Sequence, residues 1–106
     1  MINNKILGLI GLAMKAGKIC FGADSVEENI EKRKVKLLII AKDSSERTKN
    51  KFIEKCQKQN IPIIIDSNIE EISKTIGKSN KAIIGVKDIN FAKSIQEKYN
   101  GGDIIG

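Results

Sequence analysis

The chain of 106 residues carries 19 Lys and Arg against 13 Asp and Glu, a net charge of +6, and is 41% hydrophobic but only 4% aromatic. That length makes one domain with a modest core, and the core must be aliphatic, built from Ile, Leu and Val. The lack of histidine excludes His-based triads, His-ligated zinc and imidazole proton shuttles, and the positive balance favours an anionic partner without identifying it.

Lys5 to Lys15 reads as a helix, apolar on most sides and therefore buried, in which Gly8 and Gly11 would let another element approach closely. Gly17 stops it, and Ile19 to Phe21 is a short strand. A Gly-Ala-Asp-Ser turn follows. The next helix spans about Ser25 to Arg33, with Asp24 as its N-cap and Glu27 at the capping-box spacing. Val26 and Ile30 would face the core. Val35 to Ala41 is a near-continuous apolar strand, the pattern of a strand covered on both faces.

Asp43 and Glu46 repeat the cap spacing before a helix of Ser45 to Gln59, whose inner face carries Phe52, Ile53 and Cys56. Ile61 to Ile65 is the third strand, also expected buried, with Pro62 near its start. Asn68 and Glu71 cap a short helix holding Ile69, Ile72 and Ile76 and stopped at Gly77. Ala82 to Val86 is the fourth strand. Asp88 caps a last helix with Phe91, Ile95 and Tyr99 on one face, and the tail from Gly101 to Gly106 carries no obvious element. Strand and helix alternate throughout, which implies an α/β sandwich with helices on both sides of a four-stranded sheet.

Cys20 and Cys56 match no metal-binding spacing and make a poor disulfide framework, so free buried thiols in a cytosolic protein are expected. The N-terminal apolar run is broken by two glycines and ends in lysines. No apolar run reaches the roughly 18–20 residues of a spanning helix. The expectation is a cytoplasmic protein with neither a signal peptide nor a membrane partner. No Walker lysine loop or GxGxxG fingerprint occurs, Gly17 and Gly22 being too far apart to imitate one.

Two kinds of chemistry compete for the polar residues. Asp43, Asp66 and Asp88 each follow a strand; if all strands ran parallel, three carboxylates would share one sheet edge and could hold a divalent metal for phosphotransfer. The preferred reading makes Asp43 and Asp88 helix caps and Asp66 a turn residue, with no catalytic site, cofactor or metal. Nucleic acid has the stronger case. Residues 1–60 hold 13 Lys and Arg against 7 acids, whereas residues 61–106 hold 6 of each, so the whole positive excess lies in the first part. Lys15, Lys18, Lys32, Arg33, Lys34, Lys36, Lys42, Arg47, Lys49 and Lys51 come from consecutive elements and could follow a phosphate backbone, or form a solvated lysine-rich surface. Scarce aromatics argue against a base-stacking platform. A helix start, whose N–H groups point outward unpaired, suits such a partner better.

At this point the residues resemble a known family. Ile10-Gly11-Leu12-Ala13-Met14-Lys15-Ala16-Gly17-Lys18 looks like the opening signature of the YlxQ-like bacterial branch of the kink-turn-binding ribosomal proteins. Gly22, Lys36-Leu37, Asp43-x-Ser45-x-x-Thr48-Lys49-x-Lys51, Cys56, Ile61-Pro62, Ile76-Gly77-Lys78 and Phe91-Ala92-Lys93 follow in the same order. The resemblance implies a three-layer α/β/α sandwich with a mixed four-stranded sheet, and one RNA-binding domain over residues 1–106. It also implies a monomeric, non-catalytic, ribosome-associated protein that binds sharply bent RNA containing sheared G·A pairs, ribosomal RNA included. By position, Gly22, Ala23, Asp24 and Ser25 would form the reading turn, with Glu28 on the same helix. Lys78, Ser79, Asn80 and Lys81 would form a second loop over an extruded nucleotide, and Lys18, Arg33 and Lys42 would contact phosphates. Where such proteins carry Asn-Glu followed by Lys, this chain has Asp24, Ser25 and Glu28, and an Asp cannot donate the hydrogen bonds of an Asn amide. A protein-docking module on the same fold is the alternative.

Overall fold

A computed structural model describes residues 2–101. Its elements alternate as the apolar runs require: α1 (Asn4–Lys15), β1 (Ile19–Phe21), α2 (Ala23–Glu31), β2 (Leu37–Ile40), α3 (Glu46–Lys58), β3 (Ile63–Ile65), α4 (Ile69–Thr75), β4 (Ile83–Val86) and α5 (Ile89–Gly101). The strands form one mixed sheet in the order β1-β4-β2-β3; β4 is antiparallel to both its neighbours, and β2 and β3 are parallel. This is the three-layer α/β/α sandwich. The tail beyond Gly101, expected to carry no element, lies outside the described residues.

Period-two alternation along β2 divides the core. Leu37 and Ile39 pack with Ile6, Ile10, Ile72 and Ile95 on the face covered by α1, α4 and α5. Leu38 and Ile40 pack with Val26, Ile30, Phe52 and Cys56 on the face covered by α2 and α3. All four β2 residues are fully buried, and each contributes roughly 1.5–3 kcal/mol by leaving water. β3, by contrast, is an edge strand. Its Ile63 is half-buried and its Ile65 is exposed, so the expectation of a buried third strand fails there. Pro62 fits this edge because only its carbonyl is used, accepting from Leu38 N–H at 3.0 Å.

Three local readings also change. α1 buries one stripe, Ile6, Ile10 and Ala13, and leaves Leu12 57% exposed; it is a covering helix, with only Gly11 near a neighbour, Thr75 O. α2 starts at Ala23 and its N-cap is Gly22, so Asp24 lies inside the first turn. The cause is the backbone of Gly22, whose φ of +85° turns the chain into the helix two residues earlier than a side-chain cap would. Glu27 accordingly makes no capping box. It pairs with Lys51 at 3.2 Å and Lys55 at 3.0 Å, joining α2 to α3. Third, α3 is capped by Ser45, whose Oγ accepts from Thr48 N–H at 3.1 Å, and Asp43 instead accepts from Ile69 N–H at 2.9 Å, at the start of α4.

Gly85 shows how tightly the sheet is covered. A Cβ there would lie 2.8 Å from Cys20 Sγ and 3.2 Å from Val35 Cγ2. Both cysteines are buried, unpaired thiols. Burial pushes the Cys56 thiol up to about 11 and raises Cys20 as well, with the positive charge of Lys87 opposing the latter shift.

Candidate nucleic-acid interface

Strand direction decides which loops meet. Gly22 N–H donates to Ile83 O at 3.2 Å, Ala41 N–H to Ala82 O at 2.9 Å, and Asp66 N–H to Ile40 O at 3.0 Å. The end of β1, the ends of β2 and β3 and the start of β4 therefore share one edge, here the turn edge. At the opposite edge Lys87 N–H donates to Lys18 O at 2.8 Å and Lys36 N–H to Val86 O at 2.7 Å. Along β1 the two edges are about 13 Å apart.

The turn edge is built on the start of α2. Side chains cap the other four helices: Asn3 caps α1, Ser45 caps α3, Asn68 caps α4 and Asp88 caps α5. Gly22 makes no side-chain cap bond. The N–H groups of Ala23, Asp24 and Ser25 find no acceptor among the described residues, and all three residues are exposed. Three unpaired donors and the positive end of a helix dipole face outward together.

Beside them sits the loop between α4 and β4, held from below by Ser73. This buried hydroxyl accepts from Lys81 N–H at 2.7 Å and donates to Lys81 O at 3.2 Å, and the Ser73 carbonyl accepts from Lys78 N–H at 2.8 Å. Asn80 lies in the left-handed region at φ +55°, sharpening the turn. Phe21, the last residue of β1, joins loop to turn: Lys78 Nζ lies 5.2 Å and Lys81 Nζ 5.7 Å from its ring centroid. Lys81 Nζ also reaches within 4.0 Å of where a Gly22 Cβ would stand. A cavity of about 640 Å³ opens against this loop, lined in part by Asp43, Ile69, Ser73, Lys78, Ser79 and Asn80.

Lys42 completes the edge, its ammonium largely exposed and 3.9 Å from Asp66 Oδ1. Asp66 itself is buried. Burial works to raise its carboxyl, but hydrogen bonds from the Tyr99 hydroxyl at 2.8 Å and Ser67 N–H at 2.6 Å, with Lys42 nearby, hold it below the ordinary carboxylate value. Asp66 is thus a structural anchor for α5. Because β4 runs antiparallel to β2, Asp88 falls at the edge opposite Asp43 and Asp66, and no group of three potential metal ligands occurs among the described residues.

The structure thus brings Gly22, Ala23, Asp24, Ser25, Lys42, Lys78, Ser79, Asn80 and Lys81 to one edge. It does not bring Lys18 and Arg33 there. Both sit at the opposite edge, because the start of β1 and the end of α2 lie at the far ends of elements whose other ends form the turn. Glu28 lies further along α2, exposed and paired with Lys32 at 3.3 Å. Sequence reasoning missed Phe21 and Ser73. Phe21 carried only a strand signal, and Ser73 looked like any polar helix residue.

The profile of the family described as "Ribosomal protein L7Ae/L30e/S12e/Gadd45 family" matches residues 4–96. The chain belongs to this family. It is 37% identical over 97 residues to "RNA-binding protein YlxQ" of Enterococcus faecium, covering 92% of this chain and 93% of that protein. The protein of the same name in Bacillus subtilis is 30% identical over 87 residues, covering 82% and 87% respectively. Among solved structures, a protein of unknown function from Bacillus halodurans superposes with a TM-score of 0.85 at 32% identity, over 89% of this chain and 95% of that one. The Giardia lamblia 15.5kD RNA binding protein superposes with a TM-score of 0.76 at 15% identity, over 95% and 92%; at that identity the likeness shows the fold alone. Fold and membership of the family are therefore settled together. No helix among the described residues is long and apolar enough to cross a membrane.

Proposed function

We propose that the chain is a non-catalytic, ribosome-associated RNA-binding protein, one domain over residues 1–106, that recognises kinked RNA with sheared G·A pairs through its turn edge. The observation that carries this reading is the uncapped start of α2 lying against the Lys78–Lys81 loop. Two E. faecium and B. subtilis relatives named as RNA-binding proteins, aligned over most of their length, support it. A-form RNA hides its base edges in a narrow groove, so a protein reads it best where the helix is distorted. The free N–H groups of Ala23, Asp24 and Ser25 would meet acceptors there, and Lys42, Lys78 and Lys81 would meet phosphates. The Asp24 carboxylate can only accept, which suits the N–H donors of a guanine edge. The cavity beside Ser79 and Asn80 has room for an extruded base.

The test is a gel-shift series at fixed salt with a kink-turn RNA and a version whose G·A pairs are replaced by Watson–Crick pairs. Specific reading predicts at least about tenfold weaker binding to the second RNA, about 1.4 kcal/mol. Equal binding to both would reduce the activity to basic attraction, and absence of binding to either at low salt would refute the proposal. On this reading the protein acts as a cytoplasmic monomer without metal or cofactor.

A further inference from the structure

The opposite edge carries charge that the proposed reading does not use. Lys18, Arg33, Lys34, Lys36 and Lys87 line a shallow basin of about 320 Å³ together with Gly17. Four of the five side chains are exposed and Lys87 is half-buried. None has a carboxylate within ion-pair distance among the described residues, whereas Lys32, Lys49, Lys51 and Lys55 all do. The nearest acid in sequence, Asp88, is engaged by the N–H groups of Asn90 and Phe91 at 2.7 and 3.0 Å.

The basin is assembled by tertiary structure. Lys18 and Lys87 are joined where β1 meets β4. Arg33 takes a φ of +59° just after α2, and Lys36 Nζ donates to its carbonyl at 3.4 Å. A left-handed arginine is unfavourable by about 1–2 kcal/mol, yet it is what turns residues 33–36 back beside Lys18. The ends of α1 and α2 also converge there, each contributing about half a negative charge, and Asp88 adds one more, so five cations still leave roughly three positive charges in one place.

We infer that this basin is a second RNA contact, one that takes the sugar–phosphate backbone of a plain A-form helix without reading its sequence. Its lining holds no apolar or aromatic side chain, so it offers neither a pocket for a peptide anchor nor a surface for stacking bases. Several lysines spread over an open, shallow surface match a row of phosphates. The inference stands apart from the turn edge, since it needs no G·A pair.

The probe is a blunt RNA duplex of about 20 base pairs without internal loops, followed by fluorescence anisotropy between about 50 and 200 mM salt. The variant combines Lys18→Gln, Lys34→Gln and Lys36→Gln. It is expected to flatten the log–log salt slope by about two to three units and to weaken duplex binding at least about tenfold at the middle of that range. Lys→Arg at the same three positions should restore both. Wild-type slope and affinity in the triple Gln variant would overturn the inference. Poly-glutamate competing with the duplex charge for charge would overturn it too, as would saturation by millimolar inorganic phosphate without duplex binding. Failure of the wild type to distinguish the kink-turn from its G·A-replaced version would sink the turn-edge reading and leave this one standing.

Discussion

The two ends of the sheet differ in kind. The turn edge is held in shape: Ser73 fixes the backbone of Lys81, Phe21 gathers two ammonium groups, and three helix N–H groups point outward. Its charges are mixed, with Lys42, Lys78 and Lys81 set among Asp24, Asp43 and Glu70. Among the described residues, the basic edge has one left-handed arginine, no aromatic contact and five cations without carboxylate partners. Net charge in this molecule therefore does not mark the place best shaped for recognition. Pre-set donors give specificity, whereas massed lysines give salt-dependent attraction.

The largest effect expected from a single change is at Gly85, midway between the edges. Gly85→Ala should lower stability by about 1–3 kcal/mol through overpacking against Cys20 and Val35. Urea unfolding measures it, and binding at both edges should persist in the folded fraction. Selective loss at either edge would mean that the edges are coupled through β4. Ser73→Ala comes next, at about 1–2 kcal/mol, because Lys81 N–H is left without a buried partner. It should weaken G·A-dependent binding while the plain-duplex salt slope stays unchanged. A flattened slope would break the separation of the two edges.

Phe21→Leu should act more weakly, roughly 0.5–1 kcal/mol, by releasing Lys78 and Lys81 from the ring. Its signature is a modest loss of discrimination between kink-turn and G·A-replaced RNA. The smallest effect belongs to Glu27, which serves neither edge. Hydrogen bonds from Lys55 and then Lys51 hold its carboxyl below the ordinary value of 4.5. Its contribution is present above that value and is lost as pH falls through the lower folded-state value. Glu27→Gln should accordingly be less sensitive to acid than the wild type in melts below about pH 5. Identical acid profiles would show that the α2–α3 pairing is immaterial to stability.

Much of the architecture was legible in the chain itself. Apolar runs such as Leu37–Ile40 and caps such as Asn68 and Asp88 act through neighbours one to four residues away, so each element's existence could be read locally. Boundaries were misread where a local rule had a rival. Asp24 looked like a cap, but Gly22 could adopt φ +85° and start α2 itself; Asp43 looked like the cap of α3, but Ser45 took that role and Asp43 reached α4. The turn of Gly22–Ser25 was found as a helix start, although its partner Phe21 and its anchor Ser73 were not.

What the sequence by itself determined is the alternation of strands and helices, the aliphatic core, the lack of imidazole chemistry and the excess of positive charge in residues 1–60. Which ends of those elements lie together was decided only by tertiary structure. The antiparallel placement of β4 sends Asp88 away from Asp43 and Asp66, sets the Lys78–Lys81 loop against the α2 turn, and carries Lys18 and Arg33 to the far edge. The physical reason is that strand direction comes from pairing between residues as far apart as Phe21 and Ile84. A hydrophobic run looks the same whichever way it enters the sheet.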